Sequence, residues 1–232
     1  MRRLTALTLA LALAAPLAAQ AELSANVGVT TDYRYRGISQ TALKPALQGG
    51  VDATFGGWYV GAWGSTIRWI KDAGGSAPLE VDLYGGYKGE LVPGMGYDLG
   101  VLSYVYPSNG LRPSANTTEL YGGLSWGPVS AKLSRSTGNL FGFANSSGSL
   151  YLDLSAALEL GDGWTVTPHI GRQRVSNNAL SSYTDYSVAL AKEWQGVVWS
   201  AALIDTNARG YASPTGRDLG RTGLVLGAKK NF

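Results

Sequence analysis

The sequence predicts an all-β fold, a single transmembrane antiparallel up-and-down β-barrel of about twelve strands. Three observations predict it. Apolar and polar residues alternate along many short runs, tight glycine turns alternate with longer polar loops, and aromatic residues recur beside the tight turns. The expected strands lie near residues 23–35, 45–55, 58–67, 80–89, 96–106, 117–126, 129–136, 149–160, 164–173, 183–194, 197–206 and 221–232.

The start of the chain is typical of an export signal. Two arginines precede an apolar run over residues 4–15, and an Ala-x-Ala sequence stands directly before Glu22. We therefore expect a signal peptide over residues 1–21, cleaved between Ala21 and Glu22. No break in composition divides the remainder, so residues 22–232 are expected to form one barrel domain.

The composition excludes several classes of function. The 232 residues include no Cys and one His, which excludes a disulfide scaffold, a thiolate metal site, a Cys nucleophile and any motif with two histidines. Charged residues make up 15%, too few for a disordered chain, and the formal net charge of +3 is not a nucleic-acid-binding footprint. We expect no cofactor, no metal ion and no nucleic-acid partner.

A soluble β-sandwich is the alternative fold, and the aromatic residues argue against it. Eight of them lie at strand ends on the apolar face, as in the girdle of a barrel at a membrane–water interface. They are Phe55, Trp58, Tyr87, Tyr97, Trp126, Trp164, Trp194 and Phe232. Charged residues lie mid-strand on the opposite face, which a water-filled lumen accommodates and a sandwich core does not. We therefore expect an outer-membrane barrel in contact with lipid and lipopolysaccharide.

Two sequence blocks carry a resemblance to a known family. Residues 32–41 are DYRYRGISQT, and residues 44–50 are KPALQGG. Both resemble the start of the mature domain in the TorF family of porins, and similar pieces follow over essentially the whole mature chain. Ser108 departs from the Gly that this family often has after Tyr-Pro. The resemblance implies a proteobacterial outer-membrane barrel with channel activity.

The last residue suggests a partner. Phe232 closes an alternating strand and looks like the signal by which Gram-negative assembly machinery recognises barrel substrates. We expect that machinery to bind the chain there.

The polar strand face predicts the wall of the lumen. Both charge signs occur on it, so we expect no strong charge selectivity if a pore is open. The same side chains could instead fill a closed barrel. The predicted wall carries Arg34, Arg36, Asp52, Tyr59, Trp63, Asp82, Tyr84, Asp98, Glu119, Tyr121, Lys132, Asp153, His169, Asp185, Arg221 and Lys229.

Two features of that wall invite a sharper interpretation. Arg34 and Arg36 are two residues apart, so we expect them to share a face near the outer rim. There they would meet anionic solutes, bind lipopolysaccharide phosphate or support the next loop. His169 suggests the lipid hydrolases found among outer-membrane barrels, but its own strand has no Ser two residues away on either side. A hydrogen-bonded wall histidine and no enzymatic activity are therefore expected.

These patterns together predict a porin-like channel through which small hydrophilic solutes diffuse along a narrow, mixed-charge lumen. Barrels of eight strands are filled by side chains, and those of 16 to 18 hold an aqueous channel, so inward side-chain volume decides the outcome at twelve. A closed barrel that serves as a scaffold or adhesin is the alternative. A lipid hydrolase is less favoured.

Overall fold

The computed structural model describes residues 21–232, and the expected signal peptide lies outside them except for its last residue. Fifteen strand segments make up nearly all of the regular structure. They are β1 (Glu22–Thr30), β2 (Arg34–Tyr35), β3 (Ile38–Ser39), β4 (Ala46–Phe55), β5 (Trp58–Thr66), β6 (Leu79–Val92), β7 (Met95–Val105), β8 (Thr117–Trp126), β9 (Val129–Ser136), β10 (Leu150–Ala156), β11 (Leu158–Gly161), β12 (Trp164–Arg174), β13 (Tyr183–Trp194), β14 (Val197–Thr206) and β15 (Gly223–Asn231). A short helix, α1 (Trp69–Asp72), and a 3₁₀ turn (Ala179–Ser181) lie in loops.

Thirteen of these segments form one antiparallel sheet that closes on itself. β10 and β11 are two parts of one barrel strand, because both pair with β12. β1 pairs with β4 on one side and with β15 on the other. At this seam the N–H of Phe232 donates to the carbonyl oxygen of Ala25 (2.8 Å), and the N–H of Ala25 donates back (3.2 Å). The predicted twelve-strand barrel is confirmed.

The alternation within each strand sends apolar side chains to the outside of the barrel. Leucine and valine side chains there are widely exposed, for example Leu23 (80%), Val51 (57%), Leu203 (56%) and Leu224 (65%). A water-soluble protein rarely exposes so much contiguous apolar surface, whereas a barrel in a bilayer requires it. No helix among residues 21–232 is long and apolar enough to cross a membrane.

Most of the predicted aromatic girdle faces outward. Six of the eight residues are among the exposed large side chains, with Trp126 at 70% and Phe232 at 71%. Phe55 and Tyr97 are half-buried. The ring centroids of Trp58 and Tyr87 lie 5.0 Å apart on neighbouring strands. Contact of these rings with a membrane interface stays a prediction.

The tight turns lie at the same end of the barrel as both ends of the described chain. Each joins two adjacent strands, as at Gly127 between β8 and β9 and at Gly196 between β13 and β14. Both glycines adopt positive φ values, +54° and +70°, which two-residue hairpin turns favour and which cost Gly little. The six longer loops lie at the opposite, outer end.

Two strand boundaries differ from prediction. β1 ends at Thr30, and the chain then leaves the wall instead of continuing to residue 35. Arg34 lies in the two-residue strand β2, and Arg36 follows at a turn with φ +48°. Arg34 and Arg36 therefore lie outside the barrel strands, although both line one cavity. β15 begins at Gly223, so Arg221 lies in a loop and not in the wall.

Candidate functional site

The outer end of the lumen is crossed by residues 31–44, which we call the lumen hairpin. It contains β2 and β3, which pair through Arg34 with Ser39 and Tyr35 with Ile38. The backbone N–H of Ser39 donates to the carbonyl oxygen of Leu219 (2.9 Å), and the carbonyl oxygen of Gln40 accepts from Arg68 (2.8 Å). Most hairpin side chains are buried or half-buried, as expected for a segment packed inside a barrel.

One carboxylate fixes the shape of the lumen hairpin. Asp32 Oδ1 accepts hydrogen bonds from the hydroxyls of Ser39 (2.6 Å) and Thr41 (3.0 Å), and Asp32 Oδ2 accepts from Arg34 Nε (2.8 Å). A second nitrogen of Arg34 donates to the carbonyl oxygen of Arg221 (2.7 Å). The polar residues of the first sequence block therefore hold this segment together, because a charged group buried without partners would be costly.

Arg36 ties the hairpin to the opposite wall. Its Nη2 donates to Glu119 Oε2 in β8 (2.7 Å), and its Nη1 donates to Gln173 Oε1 in β12 (2.6 Å). The guanidinium also lies 4.1 Å from the ring centroid of Tyr151 in β10. The side chains of Arg36 and Glu119 are 6% and 2% exposed, so this is a buried ion pair.

Two tyrosines anchor the other side of the hairpin. The Tyr33 hydroxyl donates to Glu80 Oε1 in β6 (2.6 Å), and the Tyr35 hydroxyl donates to the Tyr104 hydroxyl in β7 (2.6 Å). Burial raises the pKa of Tyr35, so this hydroxyl stays neutral at physiological pH. The hairpin thus contacts strands from β6 round to β12 and lies inside the lumen.

Below the hairpin, toward the tight turns, lies a cavity of about 750 Å³. Tyrosine–carboxylate pairs line it: Tyr84 donates to Asp52 (2.6 Å), and Tyr59 donates to Asp98 (2.6 Å). The ammonium of Lys132 lies 3.8 Å from the ring centroid of Tyr121. The wall is therefore polar and carries both charge signs.

Glycines on neighbouring strands make room for the wall tyrosines. A Cβ placed on Gly61 would lie 2.5 Å from Tyr84 Cζ, and one on Gly171 would lie 2.6 Å from Tyr151 Cζ. Real side chains do not approach so closely, so these rings occupy the space that the glycines leave. The rings therefore lie along the wall.

Gly61→Ala is expected to lower both the thermal stability of the barrel and its channel conductance. The new methyl group forces Tyr84 off the wall toward the lumen and breaks its hydrogen bond with Asp52. Heat-modifiable gel migration and single-channel recording measure the two effects. Gly122→Ala is the matched control, since its Cβ would meet only Leu99 Cδ2 at 3.2 Å. Equal behaviour of the two variants would contradict this account of the wall.

A second cavity of about 320 Å³ lies beside Arg34 and Arg36 and contains His169. His169 Nε2 lies 2.9 Å from Asp153 Oδ2, and its Nδ1 lies 3.7 Å from Asp185 Oδ1. Ser155 and Ser187 are its register partners on the neighbouring strands. His169 Nε2 is hydrogen-bonded to the Asp153 carboxylate, however, and not to either serine hydroxyl. The arrangement that activates a serine nucleophile is not formed here.

Residues 21–232 contain no cluster of three or more His, Asp or Glu side chains that could hold a metal ion.

The predicted wall residues fall into three groups. Glu119 is paired with Arg36, while Arg221 and Lys229 are exposed. The larger cavity is lined by Asp52, Tyr59, Trp63, Asp82, Tyr84, Asp98, Tyr121 and Lys132, and the smaller one by Arg34, Arg36, Lys132, Asp153, His169 and Asp185.

Sequence reasoning missed the hairpin anchors Tyr33, Tyr35, Glu80 and Gln173. One signal could have found the segment that they hold. Within residues 32–36, charged residues occupy the even positions and tyrosines the odd positions. The segment therefore lacks the apolar face that a strand of the barrel wall requires.

Solved structures with a similar fold include two porins. The KdgM porin, whose structure is described as a complex with disordered oligogalacturonate, aligns with a TM-score of 0.56 at 9% identity. The NanC porin aligns with a TM-score of 0.56 at 12% identity. Each alignment covers 90% of this chain and 98% of the other. At such low identity the likeness shows the closed barrel fold alone.

Sequence comparison adds the family. No curated protein sequence gives a significant match. A model of the Gcw_chp family matches residues 14–232, nearly the whole chain, and it does not confirm the TorF name. The chain therefore belongs to the Gcw_chp family, which is described as a bacterial protein family of unknown function.

Proposed function

We propose that this protein is a narrow porin-like channel of the bacterial outer membrane through which small hydrophilic solutes diffuse. The observation that carries the proposal is a closed barrel with an apolar exterior and a polar interior, in which cavities of about 750 and 320 Å³ lie next to the lumen hairpin. The exposed leucines and valines support placement in a bilayer. The porin fold of KdgM and NanC is consistent with it.

The charge pattern supports weak selectivity. Asp52, Asp82 and Asp98 face the larger cavity together with Lys88 and Lys132. Pores with a ring of one charge sign discriminate between ions, whereas opposite charges at one level largely cancel. The solute class is therefore set by size more than by charge.

A closed barrel is the second candidate, because the lumen hairpin is held by buried contacts. The Tyr33–Glu80 hydrogen bond at β6 and the Arg36–Gln173 hydrogen bond at β12 fix it at strands that lie five positions apart around the barrel. A hairpin anchored in this way is compatible with a closed scaffold as well as with a narrow pore. Conduction distinguishes the two candidates.

Purified protein in a planar bilayer is expected to give small conductance steps with a reversal potential near zero under a salt gradient. Narrowing by the hairpin sets the step size, and the mixed wall charges set the reversal potential. Buffer with detergent alone is the control. Silence at every voltage would favour the closed barrel, and a strong preference for one ion sign would contradict the mixed-charge lumen.

The exposed Phe232 side chain, at the end of the closing strand, supports a further part of the proposal. We propose that barrel-assembly machinery recognises this residue and that lipopolysaccharide surrounds the outer half of the barrel.

A further inference from the structure

A third cavity, of about 270 Å³, lies at the outer mouth above the lumen hairpin, and we call it the mouth cavity. Seven separate parts of the chain line it: the hairpin, α1, the residue that follows β7, the loop before β10, the end of β12, the start of β13 and the loop before β15. Their aromatic side chains include Tyr35, Trp69, Phe141, Phe143, Tyr183 and Tyr211. Neither the lumen wall nor the hydrogen bonds of the channel account for this concentration of rings.

The rings hold one another in place. Trp69 meets Tyr106 edge to face, with centroids 5.2 Å apart, and Tyr183 meets Tyr211 in the same way at 5.3 Å. Tyr35 and Phe141 form a third such pair at 5.5 Å. Edge-to-face pairs of this kind fix ring orientation, so the cavity is formed before any ligand arrives.

The charge of the mouth cavity limits its ligand to a neutral molecule. Asp72 is the one ionisable carboxylate or base among the residues that line it, and Arg68 pairs with this carboxylate at 3.1 Å. A charged ligand would lose its water without gaining a free counter-charge, which is costly.

The free hydrogen-bonding groups are few. The Tyr35 hydroxyl donates to Tyr104, and the Tyr211 hydroxyl donates to the carbonyl oxygen of Ser181 (2.8 Å). Two donors among the lining residues have no hydrogen-bond partner within residues 21–232: the buried indole N–H of Trp69, and the hydroxyl of Tyr183, whose side chain is 4% exposed. A sugar brings many hydroxyls that need partners, whereas a molecule with one carbonyl acceptor suits a cavity that offers only these two donors.

We propose that the mouth cavity binds one neutral, single-ring aromatic molecule, with its hydrogen-bond acceptor at the Tyr183 hydroxyl and its ring between the aromatic side chains. The volume suits one ring, since cavities for drug-sized ligands run from about 300 to 1,000 Å³. This binding does not require conduction, so it goes beyond the proposed channel. A bilayer that stays silent leaves it intact.

Titration calorimetry with protein in lipid nanodiscs tests the site, with empty nanodiscs subtracted. The probe is acetophenone, and α-methylstyrene is its near-isosteric partner without the carbonyl acceptor. Acetophenone is expected to bind saturably at one site. Tyr183→Phe keeps the ring and removes only the hydroxyl, so it should weaken acetophenone about fivefold, the value of one hydrogen bond, and leave α-methylstyrene unchanged.

Two further variants distinguish the loss of the Tyr183 hydroxyl from misfolding of the protein. Tyr211→Phe is the matched control, because its hydroxyl is already bonded to Ser181, and acetophenone affinity should stay the same. Phe141→Ala removes part of the wall and should weaken both probes. Absence of saturable acetophenone binding, tighter binding of methyl glucoside or benzoate, or an equal loss for both probes in Tyr183→Phe would overturn the proposal.

Discussion

Replacing the lumen hairpin by a tight turn is expected to raise single-channel conductance several-fold. Thr30 and Ala46 are register partners at the ends of β1 and β4, so a short Asn-Gly turn can join them in place of residues 31–45. The hairpin contacts both sides of the lumen, through Tyr33 at β6 and Arg36 at β12. Without it, only wall side chains narrow a lumen whose width is set by strand number. Planar-bilayer recording measures the change.

A second shortened loop serves as the control for the hairpin deletion. Residues 176–181 join β12 to β13 outside the lumen, where Leu180 is 94% exposed. Replacing them by a tight turn should leave the single-channel conductance unchanged from that of the wild type. If both deletions give the wild-type step, the hairpin is not the constriction. If the hairpin deletion conducts while the wild type is silent, the hairpin is a plug.

Arg36→Met is expected to release the hairpin from the far wall. The substitution leaves the Glu119 carboxylate buried without its partner, and removing one member of a buried ion pair costs about 3–5 kcal/mol. Replacing both members by apolar residues avoids most of that cost, so Arg36→Met with Glu119→Leu should recover a closed hairpin. Release of the hairpin should increase trypsin cleavage after Lys44, at the end of the hairpin. It should also cause switching between two conductance levels.

Arg172→Met is the matched control for this second prediction. Arg172 donates to the Thr184 hydroxyl (3.1 Å) on the exposed outer side of the barrel, where a polar contact contributes little. Its cleavage pattern should equal that of the wild type. Equal trypsin cleavage in Arg36→Met and Arg172→Met would show that the ion pair does not hold the hairpin.

The barrel wall could be predicted because apolar and polar residues alternate along each of its strands. In β8, for example, Leu120 and Leu124 face outward while Glu119 and Tyr121 are buried, and this order is visible in the sequence. Turn glycines between runs then give the strand count. Parity alone therefore separates the two faces of the wall.

The hairpin could not be predicted by the same means. Its anchor Arg36 meets Glu119 and Gln173, which are 83 and 137 positions further along the chain. Such partners depend on barrel closure, which periodicity does not encode. For the same reason the sequence places His169 on the inner face but does not indicate that Asp153 and Asp185 flank it on adjacent strands.

The seam between β1 and β15 has a consequence for biogenesis. The strand that arrives first must pair with the one that arrives last, as the register of Asn26 with Asn231 shows. Until then β1 has an open edge, and open edges invite pairing with other chains. Contacts so distant in sequence also form slowly. The polypeptide therefore needs protection from aggregation until β15 pairs with β1, and a chain without β15 would keep two unpaired strand edges instead of a closed barrel.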